Sequence, residues 1–244
     1  MMQPAFLPWQ GFFELIYRCD KFIFLDDFQY SIQSHHSRNK LFVNKNSVDF
    51  YSAHIKKENR YGAKLNETQL SQDGWAQKML KSLSFNYKKT AFFEIIHPQF
   101  ESVFNVKYDS LADLNIAFIK KCCELMGIER KFLLSSDFSR EIISEAKRSQ
   151  RVEALLRWAQ ANLYLCAFGS FDYMHDDNFS FQNYPTIFQN YQPKPYPQYH
   201  SKTFIPYLSV LDALYNIGSK QTLELIQQGT NHWLSPEERS SVHV

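Results

Sequence analysis

Residues 3–27 read QPAFLPWQGFFELIYRCDKFIFLDD, and this stretch decides the fold class. Between Gly11 and Arg18 the apolar residues Phe12, Leu15 and Ile16 recur at helical spacing, which predicts a short helix with that face inward. Lys21-Phe22-Ile23-Phe24-Leu25 then runs apolar without alternation and stops at Asp26-Asp27. A run this short, closed by acids, fits a strand covered on both faces. A helix feeding such a strand is a piece of a doubly wound unit. The expected architecture is therefore α/β: an open, mostly parallel sheet flanked by helices, with a helical carboxyl-terminal portion. The strand that should precede Gln3 is missing or nearly so, because only Met1 and Met2 stand before the loop. Either the loop starts bare or the start codon lies upstream.

Downstream, Lys40–Val43 and Val48–Ala53 read as hairpin strands around an Asn44-Lys45-Asn46 turn. Helices are expected over 71–86, capped by Ser71 or Asp73, and over 92–105, interrupted at Pro98. The clearest helix covers 109–126, with Leu111, Leu114, Phe118, Cys122 and Leu125 on one face and Gly127 closing it. Strands at 132–134, 163–168 and 188–191 surround a helix at 141–161. A Pro- and Tyr-rich loop from Gln192 to Tyr199 leads to a helix at 208–217 that ends at Gly218. A further helix follows from Ser219 to Gln228, and Ser235-Pro236-Glu237-Glu238 is a capped turn. No repeat or low-complexity linker interrupts the chain, so one domain over 1–244 is expected.

Composition narrows the class. The 244 residues are 44% hydrophobic and 16% aromatic, enough for a core and for pockets that hold flat or sugar-like ligands. A net charge of +2 without a basic stripe argues against a nucleic-acid partner. No apolar run approaches the roughly 18 residues of a membrane span. Cys19, Cys122, Cys123 and Cys166 have neither disulfide nor zinc spacing, which fits a reducing cytoplasm and predicts no metal site. No G-x-S-x-G, P-loop, G-x-G-x-x-G or H-E-x-x-H occurs. No pattern points to a cofactor or sets an oligomeric state.

The candidate site residues follow from strand-end logic. Asp26, Asp27 and Gln29 close a parallel strand, where ligands bind in open α/β sheets. The carboxylates suit a general base, a sugar hydroxyl or a metal, against a solvated strand end that merely caps a turn. Adjacent residues of an extended chain point opposite ways, so at most one faces a pocket. Arg38 and Lys40 are placed to grip phosphate, or to sit on a solvated hairpin edge, with Asn39 a ligand amide or a turn residue. Gln3 offers an amide and Gly11 a close backbone approach, in a loop-helix layout like that of nucleotidyltransferase-like, Rossmann-like folds. The histidines that such enzymes use in this motif are absent. Gly169-Ser170 with Tyr173 repeats the strand-end pattern. Tyr191, Tyr196 and Gln198 form a loop stiffened by Pro193, Pro195 and Pro197, suited to stacking or to covering a core edge. Ser209 and Asp212 share a helix face, with Ser209 equally an N-cap.

Four stretches taken together resemble the WbqC-like family. They are Gln3-Pro4-Ala5-Phe6-Leu7-Pro8-Trp9-Gln10-Gly11-Phe12-Phe13 through Asp20 to Asp26-Asp27-Phe28-Gln29-Tyr30; Ser37-Arg38-Asn39-Lys40; Phe168-Gly169-Ser170 with Tyr173; and Tyr191 through Tyr196-Pro197-Gln198, Phe204-Ile205-Pro206 and Leu208–Asp212 to Gly218. The pattern departs where Asp49–His54 lacks the family's proline. The resemblance implies a role in bacterial surface polysaccharide (O-antigen) biosynthesis. It implies a transferase that moves an acyl or aminoacyl group onto a nucleotide-activated amino sugar, its small-molecule partner. On that reading Asp26 or Asp27 is the base, Arg38 and Lys40 hold the diphosphate, and Gln3 and Gln198 orient the substrate. The competing readings are a nucleotidyltransferase-like enzyme that binds ATP and a non-catalytic scaffold of glycan assembly.

Overall fold

In the computed structural model, which describes residues 1–59, 61–138 and 148–242, the chain is a mixed α/β protein with a helical carboxyl-terminal part. The quoted segment folds as expected. Helix α1 (Gln10–Arg18) buries Phe12, Phe13, Leu15 and Ile16, and strand β1 (Lys21–Phe24) is buried from Phe22 onward. β1 pairs in parallel with β4 (Lys131–Leu134), and β5 (Tyr164–Cys166) pairs in parallel with β6 (Thr186–Phe188). Lys21 and Ile23 of β1 and Tyr164 and Leu165 of β5 line one cavity together with Met1. Met2 forms a single parallel bridge to Phe24, and Met1 packs against the clusters around both pairs.

The expected continuous open sheet is thus corrected to two short parallel pairs plus an antiparallel hairpin, β2 (Arg38–Asn44) with β3 (Ser47–Ser52). The parallel strands are only three or four residues long and the amino-terminal segment adds one bridge, too little ladder for one sheet.

Helices α2 (Trp75–Tyr87), α3 (Phe93–Phe104), α4 (Leu111–Leu125) and α7 (Val210–Gln227) enclose the main core with α1, β1 and the hairpin. α4 starts on a Ser110–Asp113 capping box and ends with Gly127 at φ +67°. Two expectations fail locally. α2 begins after Gly74, with no side-chain cap, although Asp73 accepts from the Trp75 amide (3.2 Å). α3 runs through Pro98 unbroken, because near the helix start one backbone bond is lost while Ile96, Phe100, Val103 and Phe104 stay packed. Within α7, Gly218 takes φ +74°, so two helical pieces meet there as the sequence predicts. A second cluster packs β5 and β6 against α5 (Arg148–Trp158) and α6 (Phe171–Asp176). The helix expected over 141–161 is seen from Arg148, and its earlier part lies outside the described residues. α8 (Pro236–Ser240) starts on a Ser235–Glu238 capping box.

Candidate functional site

The carboxyl ends of β5 and β6 and the first turn of α1 border a cavity of about 360 Å³. Its lining includes Trp9, Gly11 and Phe12 from the opening loop and helix, Phe168 and Gly169 after β5, and Gln189, Asn190, Tyr191 and Gln192 after β6. Tyr207 also lines it. The volume falls within the roughly 300–1,000 Å³ of small-molecule sites, at the strand edge where α/β proteins bind ligands. None of the residues lining it carries a formal charge. Its walls are aromatic: the Trp9 ring stands edge-on to Tyr191 at 5.0 Å and tilted to Tyr207 at 5.3 Å. Gly11 is there for Trp9, since a Cβ on it would lie 2.4 Å from the indole.

Behind the lining stands a buried carboxylate. Gln189 Nε2 donates to the Gly11 carbonyl (2.8 Å) and to Glu14 Oε2 (2.7 Å), and Glu14 also accepts from the Thr230 amide (2.9 Å) and hydroxyl. Burial, with the Glu14 charge nearby, pushes the Tyr191 phenol up. Glu14, Gln189 and Thr230 gave no sequence signal, because a glutamate on a fully enclosed helix breaks the apolar pattern without forming a motif. Trp9 lay inside the quoted stretches without being singled out, whereas Tyr191 stood with Tyr196 and Gln198 on the stiffened loop expected to stack or to cover a core edge.

The opening loop is held from outside. Asn39 Nδ2 donates to the Leu7 carbonyl (2.8 Å) while its Oδ1 accepts from the Lys40 amide. Asn115 Nδ2 donates to the carbonyls of Pro4 (3.0 Å) and His36 (2.9 Å). Gln3 Oε1 sits 3.0 Å from His36 Nε2, and His36 Nδ1 accepts from the Ser31 amide, so both bonds fit a neutral imidazole. Burial, then the adjacent His35, lowers the His36 pKa to about 4. Gln3 and Asn39 therefore brace the loop.

Asp26 and Asp27 fasten strand ends. Asp26 is buried and accepts from the Ser136 amide (3.0 Å), the Ser135 hydroxyl (3.1 Å), the Ser136 hydroxyl (2.6 Å) and Asn66 (3.4 Å). Asp27 shares the single Ser135 hydroxyl proton with Asp26 and pairs with Arg151, whose guanidinium carbon lies 4.2 Å from the centre of the Phe28 ring. Neither lines the aromatic cavity, and Gln29 is exposed, bridging to Lys64. Arg38 and Lys40 lie over the Phe50 ring, at 4.2 and 5.4 Å, also apart from that cavity. Ser170 turns back onto the Ala167 carbonyl (3.0 Å), and Tyr173 sits under Arg148 with its phenol pushed up by burial.

Three of the predicted residues do converge. Asp212 is wholly buried and accepts from Tyr196 (2.7 Å), Gln198 Nε2 (3.0 Å) and Tyr87 (2.9 Å). Burial raises its pKa, opposed by those three donors in the order Tyr196, Tyr87, Gln198. Gln198 also exchanges two bonds with Ile205, so the Pro-rich loop is latched to the start of α7. Ser209 is the N-cap there, accepting from the Leu211 amide (3.3 Å).

Among the described residues there is no cluster of His, Cys, Asp and Glu fit for a metal, and no helix is long and apolar enough to cross a membrane. The model of the WbqC-like protein family matches residues 3–224, so the chain belongs to that family. It is similar to the uncharacterized protein Rv1507c of Mycobacterium tuberculosis (strain ATCC 25618 / H37Rv), 25% identical over 222 residues that make up 90% of this chain and 94% of the relative. No solved structure matches.

Proposed function

We propose that this member of the WbqC-like protein family is a cytoplasmic transferase of bacterial surface-glycan biosynthesis that acts on a nucleotide-activated amino sugar. The transferred group is acyl or aminoacyl. The observation that carries this reading is the uncharged cavity walled by Trp9, Tyr191 and Tyr207 and edged by Gln189, Asn190 and Gln192. Aromatic faces hold a pyranose or a base, and amides both donate to and accept from hydroxyls and base edges. A neutral lining suits the uncharged end of such a substrate, since an unpaired charge is costly to bury. In this reading Asp26 and Asp27 keep the strand ends in register and touch no substrate.

A second reading is ATP binding by a nucleotidyltransferase-like enzyme. It is favoured by the first turn of α1, whose Gly11 and Phe12 border the same cavity. It is weakened by the Trp9 ring lying over Gly11.

A thermal-shift panel of ATP, acetyl-CoA and UDP-, GDP- and dTDP-linked amino sugars separates the two. At 100 times its Kd a ligand adds about 2.7 kcal/mol, roughly 5–10 °C for a chain of this size. A shift with a sugar nucleotide that Trp9→Ala removes is the expected result. A shift with ATP alone selects the second reading, and no shift with any of them in folded protein overturns both.

A further inference from the structure

No residue lining the aromatic cavity is charged, yet the nucleotide-activated substrate of the proposed function would carry phosphate. A second, larger hollow of about 680 Å³ has the opposite character. It opens where β2 begins and β3 ends, with Arg38 paired in register with Ser52, and continues along His54, Lys56 and Lys57. Two acids also line it. Asp73 is taken up by His54 (2.9 Å) and the Trp75 amide (3.2 Å), which leaves Glu58 against three cations.

Arg38 is the informative residue. Its guanidinium carbon sits over the Phe50 ring, 4.2 Å from the centroid, a cation–π contact that restrains the head group without using any of its N–H donors. The side chain is half-buried, yet among the described residues it makes no hydrogen bond and no ion pair. Lys57 likewise makes no ion pair among the described residues, and Lys56 donates to Gln69 Oε1 (2.8 Å). A guanidinium held over a ring with its N–H donors unpartnered among the described residues, two lysines in the same lining and room for a small molecule suit a planar or tetrahedral oxyanion.

We propose that this groove binds the phosphate groups of a small-molecule substrate, with Arg38 as the bidentate contact and Lys56 and Lys57 as supporting charges. In naming a substrate the inference rests on the proposed function, whereas the pyrophosphate titration reads the groove by itself. The test is a titration of inorganic pyrophosphate followed by amide NMR of the deuterated, 15N-labelled full chain. The expected result is saturable shifts confined to residues 30–38, 52–58 and 71–73. Affinity should fall at least tenfold in Arg38→Ala and partly in Arg38→Lys, which keeps charge but loses the fork. Lys56→Ala/Lys57→Ala should weaken binding and its salt dependence, and Trp9→Ala should leave it unchanged. Shifts that fail to saturate, that centre on the aromatic cavity, or that persist in Arg38→Ala would overturn the proposal. Each variant must keep the parent amide spectrum away from the groove, and Arg38→Lys provides the comparison if Arg38→Ala misfolds.

Discussion

Replacing Asp212 with alanine is expected to destabilise the chain by about 3–5 kcal/mol, working from the donors it would strand. The Tyr196 and Tyr87 hydroxyls and one Gln198 N–H all end on this buried carboxylate. Each buried donor left without an acceptor costs about 1–3 kcal/mol. Gln198 keeps its bond to the Ile205 carbonyl, so its share is small, and the two hydroxyls carry most of the loss. Asp212→Asn keeps an acceptor oxygen, and a rotated tyrosine hydroxyl can accept from the new N–H, so about 1–2 kcal/mol is expected there. Urea unfolding at neutral pH reads both, with the midpoint moving and m unchanged. The pH dependence has a definite sign. Burial raises the Asp212 carboxyl above its ordinary 3.8, so the folded chain holds that proton more tightly than the unfolded one. The associated stability is complete below the unfolded value and is lost as pH rises through the raised one. The stability of the wild type relative to Asp212→Asn should therefore fall from acid toward neutral pH. An Asp212→Ala variant within about 1 kcal/mol of wild type, or a difference that grows with pH, would refute the reasoning.

Further expectations concern backbone, strand ends and thiols. At Gly218, φ is +74° and a Cβ would meet the Phe92 ring at 2.6 Å, so Gly218→Ala should cost about 2–4 kcal/mol. Gly127→Ala, with φ +67° and open space, should cost only about 1 kcal/mol, and thermal melts of the two rank the effects. Asp26→Ala strands the Ser136 amide and should lower the melting temperature without changing ligand affinity measured below it. Burial raises all four thiols, Cys123 to about 12, and only Cys19 is part-exposed. A thiol reagent at pH 8 should label Cys19 slowly and the other three only in denaturant.

The sequence was legible wherever periodicity governed burial. α1, β1, the hairpin and α4 appear where the spacing placed them, and Gly127 and Gly218 stand at the turns they predicted. Continuity of the sheet was not legible, because strand length in a parallel layer depends on partners distant in the chain. Asp26 illustrates the same limit at the site. Its position at a strand end was readable, but the Ser135–Ser136 turn that uses up its oxygens lies 109 and 110 residues away. Asp212, Tyr196 and Gln198 do come together, yet as a buried latch, since nothing in their spacing distinguishes a ligand pair from a core pair. The cavity assembles from Trp9, Gln189 and Tyr207, which only folding makes neighbours.

The way the opening loop is braced has a kinetic consequence. Its side-chain struts are the amides of Gln3, Asn39 and Asn115 and an imidazole that stays neutral until about pH 4. None of these groups changes charge between about pH 5 and neutrality, so the struts themselves do not titrate there. An inflection in a pH–rate profile in that range would therefore come from groups other than these struts.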